Sequence, residues 1–597
     1  MVETASKNNN PFVSEFLTVY SQSDISTGGT RGYDPKTYVE TRLDTQLIPK
    51  IFDPKTKLVI LTGNAGDGKT AFIQRVEDRA RSDGAVFSKQ TDNGSVFTFN
   101  GSRYETLYDG SQDFEGTKND AVLAAFFNDL EGDKEPTGNF TKIIAINEGK
   151  LRDFILFKHQ YKWLGKLVHH YLECEDFKPQ DAIVYVNLNL RSIVHHNERE
   201  HSILDLILDK FLDIDNTKKL WEYCQEENCV YTSKCYIKYN VDSLRDPLKG
   251  SEIRTRLKLI FLALHFRKLR HITMRDLRSI LSFILFNKHT CKELQRDIDA
   301  GTSIIDRFYY NAIFDASEKD RIAQLLSDVD VALVSNPKLD NFIHFHAPES
   351  DKIQALIKQS TGPTDLPYLR ELHINRPQGT LDKDPERHRN AKKYHSSIRR
   401  KLFFEGNEKK MEGEGLPNWK SLLPYHQFDR FAEVIRNKAD MGNNIRDELT
   451  LAISKSERIY NETVGCENLC LRSTYISRVQ AKAFYGFPSA EFEVIVKDIG
   501  SQSIYLEYCP NCIYYRHIDK TAELEIPLDL FEVLCRILVG YIPSASEIRT
   551  FFLNLEMFKR RIISKRSDRI ILTEDDTNLF EIKRDASERL IMTKLGG

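Results

Sequence analysis

A glycine-rich octapeptide, Gly63-Asn64-Ala65-Gly66-Asp67-Gly68-Lys69-Thr70, constrains the fold of this chain more than any other feature. It fits the pattern G-x-x-x-x-G-K-[ST] and lies between an apolar, β-rich run (57–62) and a helical pattern (71–76). Glycines let successive backbone N–H groups curl around phosphate oxygens, and the N-terminus of the following helix adds partial positive charge. The order strand, loop, helix therefore predicts a phosphate-binding loop of the P-loop type.

The last two residues of this loop have predicted roles in nucleotide chemistry. Lys69 is expected to bridge the β- and γ-phosphates of ATP, and Thr70 to ligate Mg²⁺ through its hydroxyl. We expect all eight residues, 63–70, to form the ATP-binding loop. The alternative is a chance glycine-rich turn, which the strand before it and the helix after it disfavour.

Four strand-like runs separated by helical patterns predict an α/β domain. They are residues 57–62, 95–108, 142–146 and 182–188. Such alternation favours a parallel sheet with helices on both faces. The expected segments are a flexible leader (1–32), a P-loop ATPase core (33–200), a helical region (201–340), a charged linker (341–405) and a mixed α/β C-terminal domain (406–597).

Three shorter segments carry more specific predictions. The stretch 375–401 is rich in charge and contains Pro377 and Pro385, so we expect a linker or a mobile loop. Residues 492–496 and 504–508 alternate on either side of a Gly-Ser pair, which predicts a β-hairpin. The apolar spacing over 528–539 predicts a helix.

Composition limits the class of protein. The 597 residues are 41% hydrophobic and include 35 Phe and 25 Tyr, which is enough to bury large cores. Lys plus Arg (85) nearly cancels Asp plus Glu (87), so any nucleic-acid surface must be local. The N-terminus has no signal-peptide pattern, and the longest apolar runs fall far below the roughly 20 residues of a membrane span. We expect a cytoplasmic protein that does not enter a membrane.

A polar pair after the third predicted strand supplies candidates for catalysis. Asn147 and Glu148 directly follow four apolar residues, 143–146. Glu148 is expected to be the general base for an attacking water, and Asn147 to hold Mg²⁺ through a bound water. Asp109, after the run 95–108, is the alternative acidic residue. Either residue could also belong to an ordinary loop.

The fourth predicted strand ends in two asparagines, Asn187 and Asn189, followed by Arg191. In AAA+-like ATPases a polar residue at this position senses the γ-phosphate and positions water, so both asparagines are candidate sensors. Arg191 is a candidate phosphate-contacting or finger arginine. The alternative is a capped strand end with an arginine on the surface.

Cysteine spacing predicts a structural Zn²⁺ site. Cys224, Cys229 and Cys235 lie close together in a chain without an export signal, and Cys291 is a possible fourth ligand. A second group consists of two closely spaced pairs: Cys466, Cys470, Cys509 and Cys512. Buried free cysteine also behaves as a small hydrophobe, so core packing is the alternative for both groups.

Three segments are locally basic: 254–278, 392–401 and 559–566. The cations of the second are Lys392, Lys393, Arg399, Arg400 and Lys401. Clustered cations can grip phosphate backbones or contact a neighbouring subunit. No sequence-specific DNA-binding motif accompanies them, so a non-specific DNA contact is the hypothesis and a solvated face is the alternative.

Seven segments occur together in this chain: 63–70, 108–111, 146–149, 186–191, 224–235, 399–405 and 538–543. In this order they resemble a family of bacterial anti-phage defence ATPases with AAA+/STAND-like architecture, which includes the phosphorothioation-dependent restriction protein DptF. The resemblance implies an ATPase that works beside nuclease or DNA-handling subunits, and we expect it to be oligomeric.

The expected function is therefore an ATP-binding and hydrolysing switch or motor of a defence or restriction complex. A nucleotide-gated scaffold, which binds ATP and recruits an effector nuclease with little turnover, is the alternative. A small-molecule or nucleoside kinase is a third hypothesis, which the length of the chain and its large helical remainder disfavour.

Overall fold

The computed structural model describes residues 8–21, 37–156, 159–173, 181–195, 201–315, 321–357, 364–377, 379, 381–437, 442–472, 482–565, 567–573, 578–585 and 587–595. Over these residues, no helix combines the length and the apolar character that crossing a membrane requires. The chain forms two compact units. The first comprises Met1–Leu262, Arg270–Pro424 and Ile499–Cys509, and the second comprises Ala263–Leu269, Tyr425–Asp498 and Pro510–Gly597.

A six-stranded sheet forms the centre of the first unit. Its strands are β1 (Leu58–Thr62), β2 (Val86–Thr91), β3 (Gly94–Phe99), β4 (Ser102–Leu107), β5 (Phe140–Ala145) and β6 (Ile183–Asn187). They are arranged in the order β2-β3-β4-β5-β1-β6. The pairs β4–β5, β5–β1 and β1–β6 are parallel, whereas β2–β3 and β3–β4 are antiparallel. The sheet is therefore mixed and mostly parallel.

The antiparallel part of the sheet comes from a hairpin within the run 95–108. This run turns at Asn100-Gly101, where φ is +49° and +75°, and forms β3 and β4. Asn-Gly favours the two-residue turns that need positive φ at both positions. The four predicted strand runs are confirmed, but this run contains two strands, so the predicted parallel pairing holds for β4, β5, β1 and β6 and gives way to antiparallel pairing at the edge formed by β2 and β3.

Helices cover both faces of the sheet, as predicted. The first helices are α1 (Pro11–Ser21), α2 (Ile48–Ile51), α3 (Lys69–Ser82), α4 (Asn119–Phe127), α5 (Glu148–Leu156) and α6 (Lys162–Glu173). Alternate residues of β1 point to opposite faces. Val59 and Leu61 pack with α2 and α3, whereas Leu58 and Ile60 pack with α4, α5 and α6.

Helices also make up most of the remaining first unit. They are α7 (Ile203–Leu212), α8 (Tyr236–Arg245), α9 (Gly250–Phe266), α10 (Met274–Phe286), α11 (Cys291–Asp299), α12 (Tyr309–Ala312), α13 (Arg321–Ser327), α14 (Pro337–Phe345), α15 (Asp351–Leu356), α16 (Leu366–Ile374), α17 (Pro385–Glu405) and α18 (Glu408–Gly413). Among the described residues, 201–315 and 321–340 contain helices and no strand.

Two segments predicted to be loose are helical. α1 lies inside the predicted flexible leader, and its Phe16 stacks on Phe286 of α10 with ring centroids 5.3 Å apart. α17 occupies residues 385–401 of the predicted linker or mobile loop. Pro385 is the first residue of α17, a position where its missing N–H costs nothing, and the side chain of Asp384 caps the helix.

Several charges of α17 are buried in ion pairs. The pairs are Arg399–Asp340, Arg400–Asp330 (2.6 Å) and Lys401–Asp365. Lys401 is only 1% exposed. A buried cation is tolerated when an anion compensates it, so these side chains hold the helices together. Three of the five cations in the run 392–401 are therefore engaged within the protein and are not free to contact DNA.

The second unit contains both helices and strands. The helices are α19 (Phe428–Asn437), α20 (Gly442–Ser456), α21 (Glu462–Glu467), α22 (Leu528–Leu538) and α23 (Ala545–Ile563). The strands are β7 (Asn468–Arg472), β8 (Lys482–Pro488), β9 (Phe492–Ile495), β10 (Ile513–His517), β11 (Glu523–Ile526), β12 (Arg569–Thr573), β13 (Leu579–Arg584) and β14 (Leu590–Leu595). They form two antiparallel sheets, ordered β11-β10-β9 and β14-β13-β12-β8-β7.

One of the two specific predictions for this region is confirmed and the other is wrong. The helix predicted over 528–539 is α22. The hairpin predicted from 492–496 and 504–508 does not form, because β9 pairs with β10 and Gly500–Ile504 is a 3₁₀-helix.

Gly94, at the start of β3, provides a test of the sheet. Its φ is +148°, and an added Cβ would lie 2.0 Å from the backbone oxygen of Thr106 in β4. Gly94→Ala should therefore push the strands apart and cost about 1–3 kcal/mol of stability, measured as a lower melting temperature. Gly101→Ala is the matched control, because its φ is also positive (+75°) but nothing lies within 4 Å of the added methyl. Equal losses in the two variants would contradict the clash.

Candidate functional site

Three parallel strands bring the predicted site residues to one edge of the first unit's sheet. Thr62, the last residue of β1, pairs with Asn187, the last residue of β6. Leu61 pairs with Ala145, the last residue of β5. The carboxyl ends of the three strands therefore coincide, which is where open α/β sheets bind ligands. The loop 63–70 leaves β1 at this edge, and α5 begins there.

The backbone of the loop 63–70 requires glycine. The angle φ is +140° at Gly63, +98° at Gly66 and +89° at Gly68. A Cβ at Gly63 would also come within 2.9 Å of the Cβ of Leu188. Residues with a side chain rarely adopt these backbone angles, so the loop geometry requires both glycines of the sequence pattern, Gly63 and Gly68, and also Gly66, which the pattern leaves open.

The Lys69 side chain folds back over this loop. Its Nζ donates to the backbone oxygens of Gly63 and Asn64, both at 2.8 Å. Burial lowers the pKa of the Lys69 ammonium, and the carboxylates of Asp67 and Asp109 act in the opposite direction. Lys69 is also the first residue of α3, so its cation lies beside a helix N-terminus, a combination that suits an anion.

The Glu148 side chain lies in a hydrogen-bonded cluster between the ends of β5 and β6. Its Oε2 accepts from Asn187 Nδ2 at 3.1 Å and from the Tyr185 hydroxyl at 3.3 Å. Burial, and then the charge of Glu148, raise the pKa of Tyr185, so this hydroxyl stays protonated and can donate. The Asn187 N–H donates in turn to Gln502 Oε1 at 2.8 Å. The structure thus brings Glu148 and Asn187 together, and it adds Tyr185 and Gln502, which sequence reasoning missed.

Asn147 is exposed and caps a helix. Its Oδ1 accepts the N–H of Gly149 at 2.9 Å, and its own N–H donates to Ser111 Oγ at 2.9 Å. These bonds fix the start of α5 and thereby the backbone of Glu148. A water-mediated Mg²⁺ contact by Asn147 stays a prediction.

Thr70 and Asp109 lie at the same edge of the sheet. Thr70 Oγ1 donates to the backbone oxygen of Tyr108 at 3.2 Å. Asp109 Oδ1 accepts the N–H of Ser111 at 2.9 Å, and its charge acts on Lys69. Asp109 therefore stays the alternative to Glu148 as the general base.

Asn189 and Arg191 brace the glycine-rich loop. Asn189 Oδ1 accepts the N–H of Asn64 at 3.0 Å, and Arg191 donates to the backbone oxygen of Asp67. Arg191 is 6% exposed, so the alternative of a surface arginine is wrong. Both side chains hold the loop of their own chain in place.

Residues 271–275, far from the glycine-rich loop in sequence, form hydrogen bonds with it. Asp67 is buried, and its Oδ1 lies 2.7 Å from His271 Nε2, whose N–H donates to it. The N–H of Arg275 donates to the backbone oxygen of Gly66 at 3.1 Å, and its positive charge also lowers the pKa of Lys69. Sequence reasoning placed Arg275 in a basic run and missed this contact. The sequence does contain one signal that could have drawn attention to Arg275. A capping box at Thr273 marks the start of α10, and Arg275 lies in the first turn of that helix.

The first cysteine group lines one cavity in the first unit. Cys224, Cys229, Cys235 and Cys291 all lie on its wall. Within the described residues, no three His, Cys, Asp or Glu side chains are already arranged to hold a metal ion. Burial raises the pKa of the Cys224 thiol to about 12, and burial also raises the pKa values of Cys235 and Cys291. Such thiols are poor nucleophiles at neutral pH, which argues against a catalytic role.

The second cysteine group has separate surroundings. Cys470 lies in a hydrophobic cluster of the second unit, and its thiol donates to the backbone oxygen of Asn468. Cys512 lies 3.6 Å from the ammonium of Lys268. For Cys470, core packing is the interpretation that fits.

Comparison of the chain with protein-family models, curated proteins and solved structures finds no match in any of the three.

The contact between Asp67 and His271 can be tested with a double-mutant cycle. Asp67→Asn and His271→Ala should each lower the melting temperature, because the first removes the negative charge that His271 contacts and the second leaves Asp67 Oδ1 without its donor. Together they should lower it by less than the sum, with a coupling of about 1 kcal/mol or more. Asp67→Asn combined with His289→Ala is the control, because His289 faces Asp297 instead. Additive losses in both pairs would mean that the contact is absent in solution.

Proposed function

We propose that this protein binds ATP with Mg²⁺ at the loop 63–70 and hydrolyses it, as the switch or motor of a bacterial anti-phage defence complex. The observation that carries the proposal is the shared edge of β1, β5 and β6. There a glycine-rich loop, the Lys69 ammonium and the Glu148 carboxylate lie together at the start of a helix. This arrangement suits transfer of a phosphoryl group to water.

In the proposed reaction, backbone N–H groups of the loop and the Lys69 ammonium bind the phosphates. Glu148 takes a proton from water as the water oxygen attacks the γ-phosphorus, and the bond to the β-phosphate oxygen breaks. Thr70 would hold Mg²⁺, which neutralises charge on the phosphates. Asn187 and Tyr185 act as positioning residues, because both bind the Glu148 carboxylate.

A switch role is supported by how the loop is connected. Asp67 and Gly66 of the loop bond to His271 and Arg275, which flank the start of α10. A change in loop conformation on hydrolysis would strain these bonds and so reach the helical region. The defence context, the oligomeric state and the partner nuclease rest on the sequence resemblance alone.

We infer that DNA is handled by the partners of this chain. Many cations of the three basic runs are already bonded within their own unit. Examples are Arg256 to the backbone oxygens of Phe403 and Gly406, Lys258 to Asp205, Arg267 to Asp529, Lys401 to Asp365, Lys559 to Glu457 and Lys565 to Asp519. Paired cations release few counterions from DNA, so they contribute little to binding.

Lys69→Ala tests the phosphate-binding loop. Loss of the ammonium should lower ATP hydrolysis by about 100-fold or more, measured as phosphate release, with little change in melting temperature. Lys89→Ala, on exposed strand β2, is the control and should hydrolyse ATP normally. Normal turnover in Lys69→Ala would remove the site assignment. ATP binding without turnover in the unmodified chain would favour the scaffold.

Glu148→Gln tests the base. Glutamine keeps the size and the acceptor oxygen of Glu148 but cannot take a proton, so ATP should bind and persist while hydrolysis falls about 100-fold or more. The comparison is Asp109→Asn, which should keep most of the activity. The opposite pattern, with Asp109→Asn inactive and Glu148→Gln active, would assign the role to Asp109.

A further inference from the structure

Two cysteines of the cavity in the first unit stand where helices begin. Cys235 is the N-cap of α8, and its Sγ accepts the N–H of Lys238 at 3.4 Å. Cys291 is the first residue of α11. Partial positive charge at a helix N-terminus stabilises a thiolate. At both positions this partial positive charge would offset the negative charge of a metal-bound sulfur.

Cys224 has a different donor. Asn10 Nδ2 lies 3.4 Å from Cys224 Sγ and 2.9 Å from the backbone oxygen of Leu220. Hydrogen bonds of this kind orient the ligands of a metal and offset their negative charge. The cavity thus provides N–H donors to two of the sulfur atoms that line it.

We propose that Cys224, Cys229, Cys235 and Cys291 bind one Zn²⁺ ion in a structural site. Four thiolates satisfy tetrahedral zinc and leave no position open for a substrate. The cavity has a volume of about 20 Å³, which is room for a single ion. Binding would require the four side chains to rotate about their Cα–Cβ bonds until the sulfurs meet the ion, and each thiol would release its proton.

Zinc would also fix the N-terminal segment. The Asn8 N–H donates to the backbone oxygen of Asn228 at 3.0 Å, and Asn8 Oδ1 accepts the N–H of Val230 at 3.0 Å. These two partners flank Cys229 in the chain. An ion that holds Cys229 therefore holds the backbone on which Asn8 lies, and with it the entry to α1.

Metal analysis of the full chain, purified without chelator, tests the site. We expect about one zinc per chain, and about 2.3 Å for the zinc–sulfur distance by X-ray absorption. Cobalt supplied in place of zinc should give the visible bands of tetrahedral thiolate coordination. Cys291→Ser should lose most of the metal, whereas Cys535→Ser, a cysteine outside the cavity, should keep it.

A thiol-blocking reagent tests the unmodified chain, so the result does not depend on whether a variant folds. Its addition should release the zinc. Zinc content well below one per chain after zinc is supplied, full metal content in Cys291→Ser, or the visible spectrum of an iron–sulfur cluster would each overturn the proposal. None of these measurements uses ATP, so the proposed function can fail without affecting this test.

Discussion

β1 is hydrogen-bonded along its length on both sides, to β5 and to β6, and both pairings are parallel. Parallel pairing in this register places three strand ends at one edge, and the loop 63–70 can leave β1 only there. Alternate residues of β1 are buried on both faces, so a slip of one residue would turn each core residue of β1 toward the wrong helices. The position of Lys69 relative to Glu148 follows from this pairing.

Around that edge, several polar side chains form hydrogen bonds with other residues of the protein. Asp67 holds the loop to His271, Asn189 holds it to the end of β6, and Asn187 holds the Glu148 carboxylate. Each bond is worth little alone, but together these exposed and partly buried bonds favour a single geometry of the loop. The loop therefore has a defined shape that comes from three separate parts of the chain.

Local patterns in the sequence predicted the parts of the fold that local chemistry determines. The strand before the loop, the helix after it and α22 follow directly from apolar spacing. The contact of Asp67 with His271 and the bond from Asn187 to Gln502 could not be predicted, because each joins residues that only the folded chain brings together. The second of these bonds uses a segment, 500–504, that was predicted to belong to a hairpin.

The wrong predictions have a physical cause as well. Charge in 385–401 suggested solvent exposure, but Arg399 and Lys401 are buried beside anions contributed by α14 and by the residue that precedes α16. Charge alone is a poor guide to exposure when a compensating partner lies elsewhere in the sequence. The predicted hairpin around Gly500 is wrong for a similar reason. β9 pairs with β10, which lies further along the chain, so no strand directly after Gly500 pairs with β9.

The burial of Lys401 against Asp365 restricts how this chain can change over evolutionary time. Losing Lys401 leaves the buried carboxylates of Asp365 and Glu405 without their cation, which costs about 3–5 kcal/mol, whereas replacing charged partners together with apolar residues is often neutral or better. Descendants that lose the pair should therefore lose it in two linked steps, passing through an intermediate that is close to unfolding. In an alignment of relatives these two positions would vary together or not at all, and their covariation would record a contact between α17 and the segment that precedes α16.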